Sequence, residues 1–506
     1  MATILSTLTD IAKRQPNAPA LIDDGWALSY AQLTDTVLCA AKALKDRGLC
    51  KGDRFAIWAP NCAEWIIAAL AGQALGGVLV TLNTRFKSAE AMDILARSQA
   101  RFLFTVNGFL DVDYVSLVDQ TQLPDLQEII LLKDDASAFQ GFLADGAGGD
   151  AALIVVEDSD ISDIIYTSGT TGLPKGVMTT HGQNVAVFDA FTSAIGMTEQ
   201  DRYLVINPFF HSFGYKAGWL SCIIRGSAIY PISVFETDEV MRRIERDKIT
   251  VMPGAPTIFQ SLLESPKRAD FDLSSLRVAT TGATTIPVDL IRRMHLDLGI
   301  DDVFSAYGLT ESSGVVTLCK KGDDFETIAS TCGRPLPGTE LRIVNDAGED
   351  VEQGDEGELW VRGFNVMVGY LDDAQSTSET ITNDGWLKTG DIGTQDAAGY
   401  VKITDRKKDM IIVGGFNCYP AEIEKILLTH EAISDVAVLG MVDDRLGEVP
   451  QAFIVCASSS DLLSESDVIA WSRAQMANYK VPRRVSFVDV LPRNASGKVM
   501  KFLLDQ

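Results

Sequence analysis

The chain has 506 residues, 46% of them apolar, and a formal net charge of −25. That length exceeds one ordinary core and predicts at least two domains, while the apolar content excludes a disordered chain. The negative charge argues against nucleic-acid binding and against docking on anionic lipid, so any ATP site must be locally basic or rich in backbone amides.

Residues 1 to 15 alternate apolar and polar side chains and contain no signal-peptide core. The longest apolar stretch, Trp65 to Leu82, is broken by Gln73 and by Gly76-Gly77. It predicts a buried helix followed by a strand and no membrane span. Strands are expected at Arg54–Trp58, Gly77–Leu82, Arg101–Val106, Ile129–Leu132, Ile161–Tyr166, Tyr203–Ile206 and Leu276–Thr280. Helical spacing at Ala63–Ala74 and Thr237–Asp247 alternates with them, the pattern of layered α/β structure. Residues 134–160 are rich in Ala, Gly and Asp and predict a surface excursion. After Gly338, short strands at Glu340–Val344, Glu358–Val361 and Tyr400–Ile403 predict a small β-rich subdomain. The charged run Asp405-Arg-Lys-Lys-Asp409 then opens an α+β segment to the end. Pro420 suits a first helical turn, and Ser464 with Asp467 forms the signature of a capping box. The expected division is 1–404, a hinge at 405–409, and 410–506.

The eight cysteines are scattered with no CxxC pair, which suits reduced thiols in a cytoplasmic protein. Four histidines without an HExxH arrangement make a catalytic metal cage improbable.

The densest chemical signal is Tyr166-Thr-Ser-Gly-Thr-Thr-Gly-Leu-Pro-Lys-Gly176, which follows the apolar strand. Glycines at 169 and 172 let the backbone approach an anion. Thr167, Ser168, Thr170 and Thr171 can donate to phosphate oxygens, and Lys175 adds positive charge. The Gly-Lys-Ser/Thr that opens a P-loop helix is missing, so this is a different kind of polyphosphate grip. The run resembles the phosphate loop of the adenylate-forming superfamily, which includes acyl-CoA synthetases, luciferases and peptide-synthetase adenylation domains.

Five further segments match that superfamily in order, so the resemblance covers almost the whole chain. It implies a large N-terminal domain of layered α/β subdomains with a small β-rich subdomain, and a small mobile α+β C-terminal domain. Within Ala306-Tyr-Gly-Leu-Thr-Glu311, it implies that Tyr307 stacks on adenine, with Ala306, Gly308 and Leu309 beside it. Thr310 would touch phosphate, and Glu311 with Thr167 would hold Mg2+. Gly282, Ala283 and Thr284 would floor the adenine and the acyl group. Asp391 of Thr389-Gly-Asp391 would accept the ribose hydroxyls, and Arg406 would sit near ribose or phosphate. Lys498, in Leu491-Pro-Arg-Asn-Ala-Ser-Gly-Lys498, would be the catalytic lysine. The chemistry explains that need: a carboxylate attacks the α-phosphorus while pyrophosphate departs, and a lysine bridging the crowded oxygens lowers the barrier.

The second half-reaction would bring CoA through a tunnel lined by Gly414, Gly415 and Phe416, with Lys408 as the hinge. Asn207-Pro-Phe-Phe-His-Ser-Phe-Gly214 resembles the acyl-gate element, where His211 would act on the substrate side. The acyl pocket would take His211, Phe213, Tyr215, Lys216, Gly282, Gly308, Gly314 and Val315. Lys216 falls in a region normally apolar, and either binds an oxygen at the far end of the acid or snorkels to the surface. The strings 210–218 and 407–417 look like bacterial ligases that activate the indane propanoate left from steroid C and D rings. Medium- or long-chain fatty acids and aryl acids remain alternatives. A free-standing loader of a carrier protein, a luciferase-like oxygenase and a nucleotide-binding sensor are the rival functions. The resemblance implies small-molecule partners only (a carboxylic acid, ATP and CoA) and leaves room for a homodimer.

Overall fold

The computed structural model describes residues 2–133, 138–148, 154–168, 174–282, 286–345, 347–406, 411–418, 420–457, 463–492, 499 and 501–504. By its contacts the chain divides into two compact units, with the last cut between Asp405 and Arg406. The first holds residues up to Thr84, Leu95–Tyr166 and Gly176–Asp405. The second holds Arg406–Gln506, together with Arg85–Ile94 and the loop Thr167–Lys175.

Two large sheets organise the first unit. A seven-stranded sheet runs Gly369–Tyr370, Pro174–Thr180, Ile161–Ser168, Val78–Thr81, Arg54–Trp58, Phe102–Thr105 and Glu128–Leu131. Its centre is parallel and mostly apolar, as expected for strands covered on both faces, with Thr81, Thr105, Ser162 and Asp163 as buried polar exceptions. The helix Ala63–Ala74 is buried along its whole length, and apart from Glu64 and Gln73 its sequence is apolar all round rather than striped. A nine-stranded sheet carries Arg202–Val205, Val251–Pro253, Val278–Gly282 and Asp302–Tyr307 as parallel neighbours. Leu204 and Met252 of this sheet form one core with Met241, Phe259, Ile291 and Met294 of the helices Thr237–Asp247, Pro256–Glu264 and Val288–Leu296. A four-stranded antiparallel sheet follows, in the order Thr339–Val344, Gly357–Gly363, Leu387–Gln395 and Val401–Arg406.

In the second unit, Gly447–Cys456 lies between Ile411–Val413 and Ile433–Asp443 and also pairs with Arg484–Phe487. The helices Pro420–Leu427 and Glu465–Gln475 pack on this sheet through Ile423, Leu427 and Val468. Ser464 caps the latter helix and Asp467 closes the box. Among the described residues no helix is long and apolar enough to cross a membrane.

Candidate active site

The parallel strands Val278–Gly282 and Asp302–Tyr307 end side by side, with Gly282 in register with Ala306. Their carboxyl ends are where an α/β sheet binds its ligand. Beyond Tyr307 the chain turns sharply. A Cβ on Gly308 would lie 2.2 Å from the Gly314 carbonyl oxygen, so only glycine permits this approach. A short turn at Thr310–Ser312 follows, with Thr310 buried and Glu311 half-buried.

The Tyr307 hydroxyl donates to Asp391 Oδ2 at 2.5 Å. Asp391 itself is buried at 3% exposure, and its N–H donates to the Thr389 hydroxyl at 3.1 Å. The neighbouring Gly390 N–H donates to Glu358 at 3.1 Å, which fixes the turn that presents the carboxylate. Two segments far apart in sequence, both assigned to nucleotide recognition by resemblance, thus meet at one point. Arg406 ends the strand Val401–Arg406 in the same sheet as Asp391.

A strap that sequence reading missed joins Glu311 to the stem of the phosphate loop. Tyr370 donates its hydroxyl to Glu311 Oε1 at 3.0 Å, and the Met367 N–H donates to the Glu311 carbonyl at 2.8 Å. The same strap pairs Val177 with Tyr370 and Met178 with Gly369, and the Leu371 N–H donates to the Gly176 carbonyl. Val177, Val316, Val366, Met367 and Tyr370 form a small apolar cluster beneath these contacts. The apolar run Val366-Met-Val368 between turn residues was the available signal, but a two-residue strand carries no readable period.

On the side assigned to the acid, His211 is solvent-exposed and its Nδ1 accepts the Phe213 N–H at 3.2 Å. Phe213 is half-buried, Val315 is buried, and a Cβ on Gly314 would meet Ser212 Cβ at 3.2 Å. The structure therefore brings the turn after His211 against the turn after Gly308. Tyr215 and Lys216 turn inward instead, which corrects the surface reading of Lys216. Tyr215 is fully buried, stacks on Trp219 with centroids 4.7 Å apart, and accepts from Gln73 at 2.8 Å. Lys216 has 0% exposure, and its ammonium pairs with Asp163 at 2.9 Å and donates to Thr179 Oγ1 at 2.8 Å. Burial pulls this ammonium down from its ordinary value and Asp163 opposes the shift.

In the second unit, Gly414 and Gly415 form a two-residue hairpin turn, with Val413 paired to Phe416. Their φ values of 55° and 84° are both left-handed, so the pair meets the demand of a primed turn quite apart from any tunnel. Phe416 stacks on Tyr479 with centroids 4.8 Å apart. Gly169, Thr170, Thr171, Gly172, Ala283, Thr284, Lys408 and Lys498 lie outside the described residues.

Comparison with known proteins identifies the family. Residues 8–371 match the AMP-binding enzyme family, and residues 422–498 match the AMP-binding enzyme C-terminal domain. A 3-[(3aS,4S,7aS)-7a-methyl-1,5-dioxo-octahydro-1H-inden-4-yl]propanoyl:CoA ligase of Mycobacterium tuberculosis is 47% identical, over 99% of this chain and 98% of its own length. Its counterpart in Rhodococcus jostii is 46% identical, over 99% and 98%. A double mutant of o-succinylbenzoate CoA synthetase from Bacillus subtilis, bound with its product analogue, superposes with a TM-score of 0.86. That structure is 30% identical, with 99% of this chain and 98% of the other covered. Both family matches and the full-length relatives lead to one conclusion: the chain belongs to the AMP-binding enzyme family.

Proposed function

We propose that this protein is an ATP-dependent carboxylic acid–CoA ligase, which forms an acyl-adenylate and pyrophosphate and then an acyl-CoA and AMP. The observation that carries the proposal is the Tyr307–Asp391 hydrogen bond beside the Glu311–Tyr370 contact. It gathers a ring for the adenine, a carboxylate for the ribose and a carboxylate for a cation on one rim of the sheet. The strap of residues 366–371 ties that rim to the stem of the phosphate loop.

In the first step the acid's carboxylate attacks the α-phosphorus. Asp391 accepts the ribose hydroxyls, Tyr307 stacks on the base, and the hydroxyls and amides of Thr167–Gly172 with Lys175 hold the departing phosphates. Lys498 bridges the attacking carboxylate and the α-phosphate, where charge accumulates in the transition state. Glu311 and the Thr167 hydroxyl supply oxygen ligands of the kind Mg2+ takes, and the half-buried Glu311 carboxylate is held in place by Tyr370. Mg2+ bound there would neutralise charge on the leaving pyrophosphate. In the second step the thiol of CoA attacks the acyl carbonyl and AMP leaves.

The relatives named for a methyl-indane-dione propanoate support a fused-ring propanoate as the acid, at 46–47% identity over nearly the full chain. The test is pyrophosphate release with and without CoA across fused-ring, fatty and aryl propanoates, with AMP and thioester followed by mass spectrometry. Turnover that requires CoA and peaks on a fused-ring propanoate is the expected result. Adenylate that never responds to CoA would overturn the ligase in favour of a carrier-protein loader, and a peak on a fatty or aryl acid would overturn the substrate.

A further inference from the structure

A fully buried polar cluster lies behind the site, and nothing in the two half-reactions uses it. Asp163 stands four residues before Thr167, in the strand that leads into the phosphate loop. Thr179 stands four residues after Lys175, in the strand that leaves it. Asp163 Oδ1 accepts the Thr179 hydroxyl at 2.9 Å, so one carboxylate clamps both limbs of the loop's stem. Asp163 Oδ2 accepts from Ser162 at 2.7 Å and from Asn184 at 2.6 Å, the latter on the helix that follows the stem. Lys216 completes the cluster from a π-helical turn, Tyr215–Leu220, that begins immediately beyond the His211–Gly214 segment. Gln73 adds a second tie, donating both to the Ser162 carbonyl at 3.1 Å and to the Tyr215 hydroxyl at 2.8 Å.

A buried ion pair is a weak source of net stability, because the two desolvation penalties consume most of the Coulombic gain. What it does supply is direction. An ammonium and a carboxylate held by several hydrogen bonds tolerate one arrangement, whereas an apolar contact could slide. The pair joins two parts whose separation matters for adenylation, the grip on the β- and γ-phosphates and the segment assigned to the acid.

We infer that Asp163 and Lys216 are positioning residues, an internal tie that sets the phosphate-loop stem against the His211–Lys216 segment so that the acid meets ATP in line. This inference rests on the ligase reading of the site. It concerns only the first half-reaction, since the β- and γ-phosphates have left before the thiol attacks. Neither residue touches a substrate.

The test compares the two half-reactions in one protein. Adenylation is read as pyrophosphate release from ATP and acid. Thioester formation is read separately, by supplying synthetic acyl-adenylate and CoA to the full chain. The variant Asp163→Asn/Lys216→Met removes both charges together and so strands neither in the core. Its adenylation kcat is expected to fall about tenfold or more, while thioester formation from supplied adenylate stays within about twofold of the parent. Thr179→Val keeps both charges and loses only the bridging hydroxyl, so it covers the case in which the double variant fails to fold. There the same one-sided loss is expected at about threefold. Equal loss in both half-reactions would mean that the cluster is merely structural, and no loss in either would mean that it positions nothing. Failure of the unaltered protein to make thioester from supplied adenylate would instead strike the ligase reading itself.

Discussion

Two carboxylates in the first unit make similar bonds and serve opposite ends. Asp163 is fully enclosed, with an ammonium, two hydroxyls and an amide on its two oxygens. Asp391 is nearly as buried, but its Oδ2 accepts from the half-buried Tyr307 hydroxyl, beside a turn that leads on to Glu311 and its partner Tyr370. Burial alone therefore does not separate an internal tie from a carboxylate proposed to bind a ligand. The partners do: Asp163 is surrounded by groups that are themselves buried, whereas Asp391 meets a side chain that can swing toward a ligand. On the proposed reading, ribose hydroxyls replace the Tyr307 hydroxyl at the cost of one hydrogen bond, whereas Asp163 is closed to solvent.

The sharpest way to break this contrast is to remove one charge from each. Lys216→Met leaves the Asp163 carboxylate buried without its cation, and breaking a buried pair in this way costs about 3–5 kcal/mol. Denaturant unfolding should show a loss of that size, and a loss under about 1 kcal/mol would show that the pair is not desolvated as the structure has it. Asp391→Ala should do the reverse. It removes a charged acceptor from the ribose, which predicts kcat/KM for ATP lower by about 10–100-fold, the equivalent of 1.5–3 kcal/mol. Its unfolding midpoint should hardly move, and steady-state kinetics beside a thermal melt decides the matter.

Acid provides a second probe of the enclosed region. His181 opens the helix that also carries Asn184, and it is completely buried. Neither ring nitrogen has a hydrogen-bond partner among the described residues. Burial holds its pKa down to about 4, against the pull of Asp163 and Asp160. The folded pKa lies below the unfolded value of about 6.5, so the unfolded chain binds the extra proton between them. Stability is therefore complete above about pH 6.5 and falls as the pH drops toward 4, by up to about 3 kcal/mol from this residue. Unfolding measured at pH 7 and pH 5 should show the loss in the parent and a smaller one in His181→Gln. An equal loss in both would assign the acid sensitivity elsewhere.

Much of this architecture is legible in the sequence, and the failures have a common cause. The strand Arg54–Trp58 and the helices Ala63–Ala74 and Thr237–Asp247 occur at the residues their periodicity predicts. The capping box at Ser464 forms as written. These are local signals, set by neighbours along the chain. Lys216 was read from its surroundings as a surface or substrate group, because its partner lies on another strand and no local pattern reports a contact across the fold. Asp163 passed unremarked inside an apolar run for the same reason. Gly414 and Gly415 carry a demand beyond the proposed tunnel, because a tight hairpin already requires both. The tunnel reading thus needs a variant that respects the turn, and Gly415→Asn, which tolerates left-handed φ, is the better probe than a bulky residue.

The smallest expected effect falls on the strap. Tyr370→Phe removes the hydroxyl that holds Glu311 at 3.0 Å and leaves the ring in its apolar cluster. The Glu311 main chain stays anchored, because its carbonyl still accepts the Met367 N–H, so the loss is one neutral donor to a charged acceptor on a half-exposed group. About 1 kcal/mol is expected, or roughly fivefold in kcat/KM. Because Tyr370 acts through Glu311, the defect should appear as a weaker response to Mg2+, with the pyrophosphate-release curve shifted to higher cation concentration and its plateau nearly restored. A fivefold loss that no concentration of Mg2+ repairs would place the tyrosine's effect on the phosphate-loop stem, through Val177, rather than on the carboxylate.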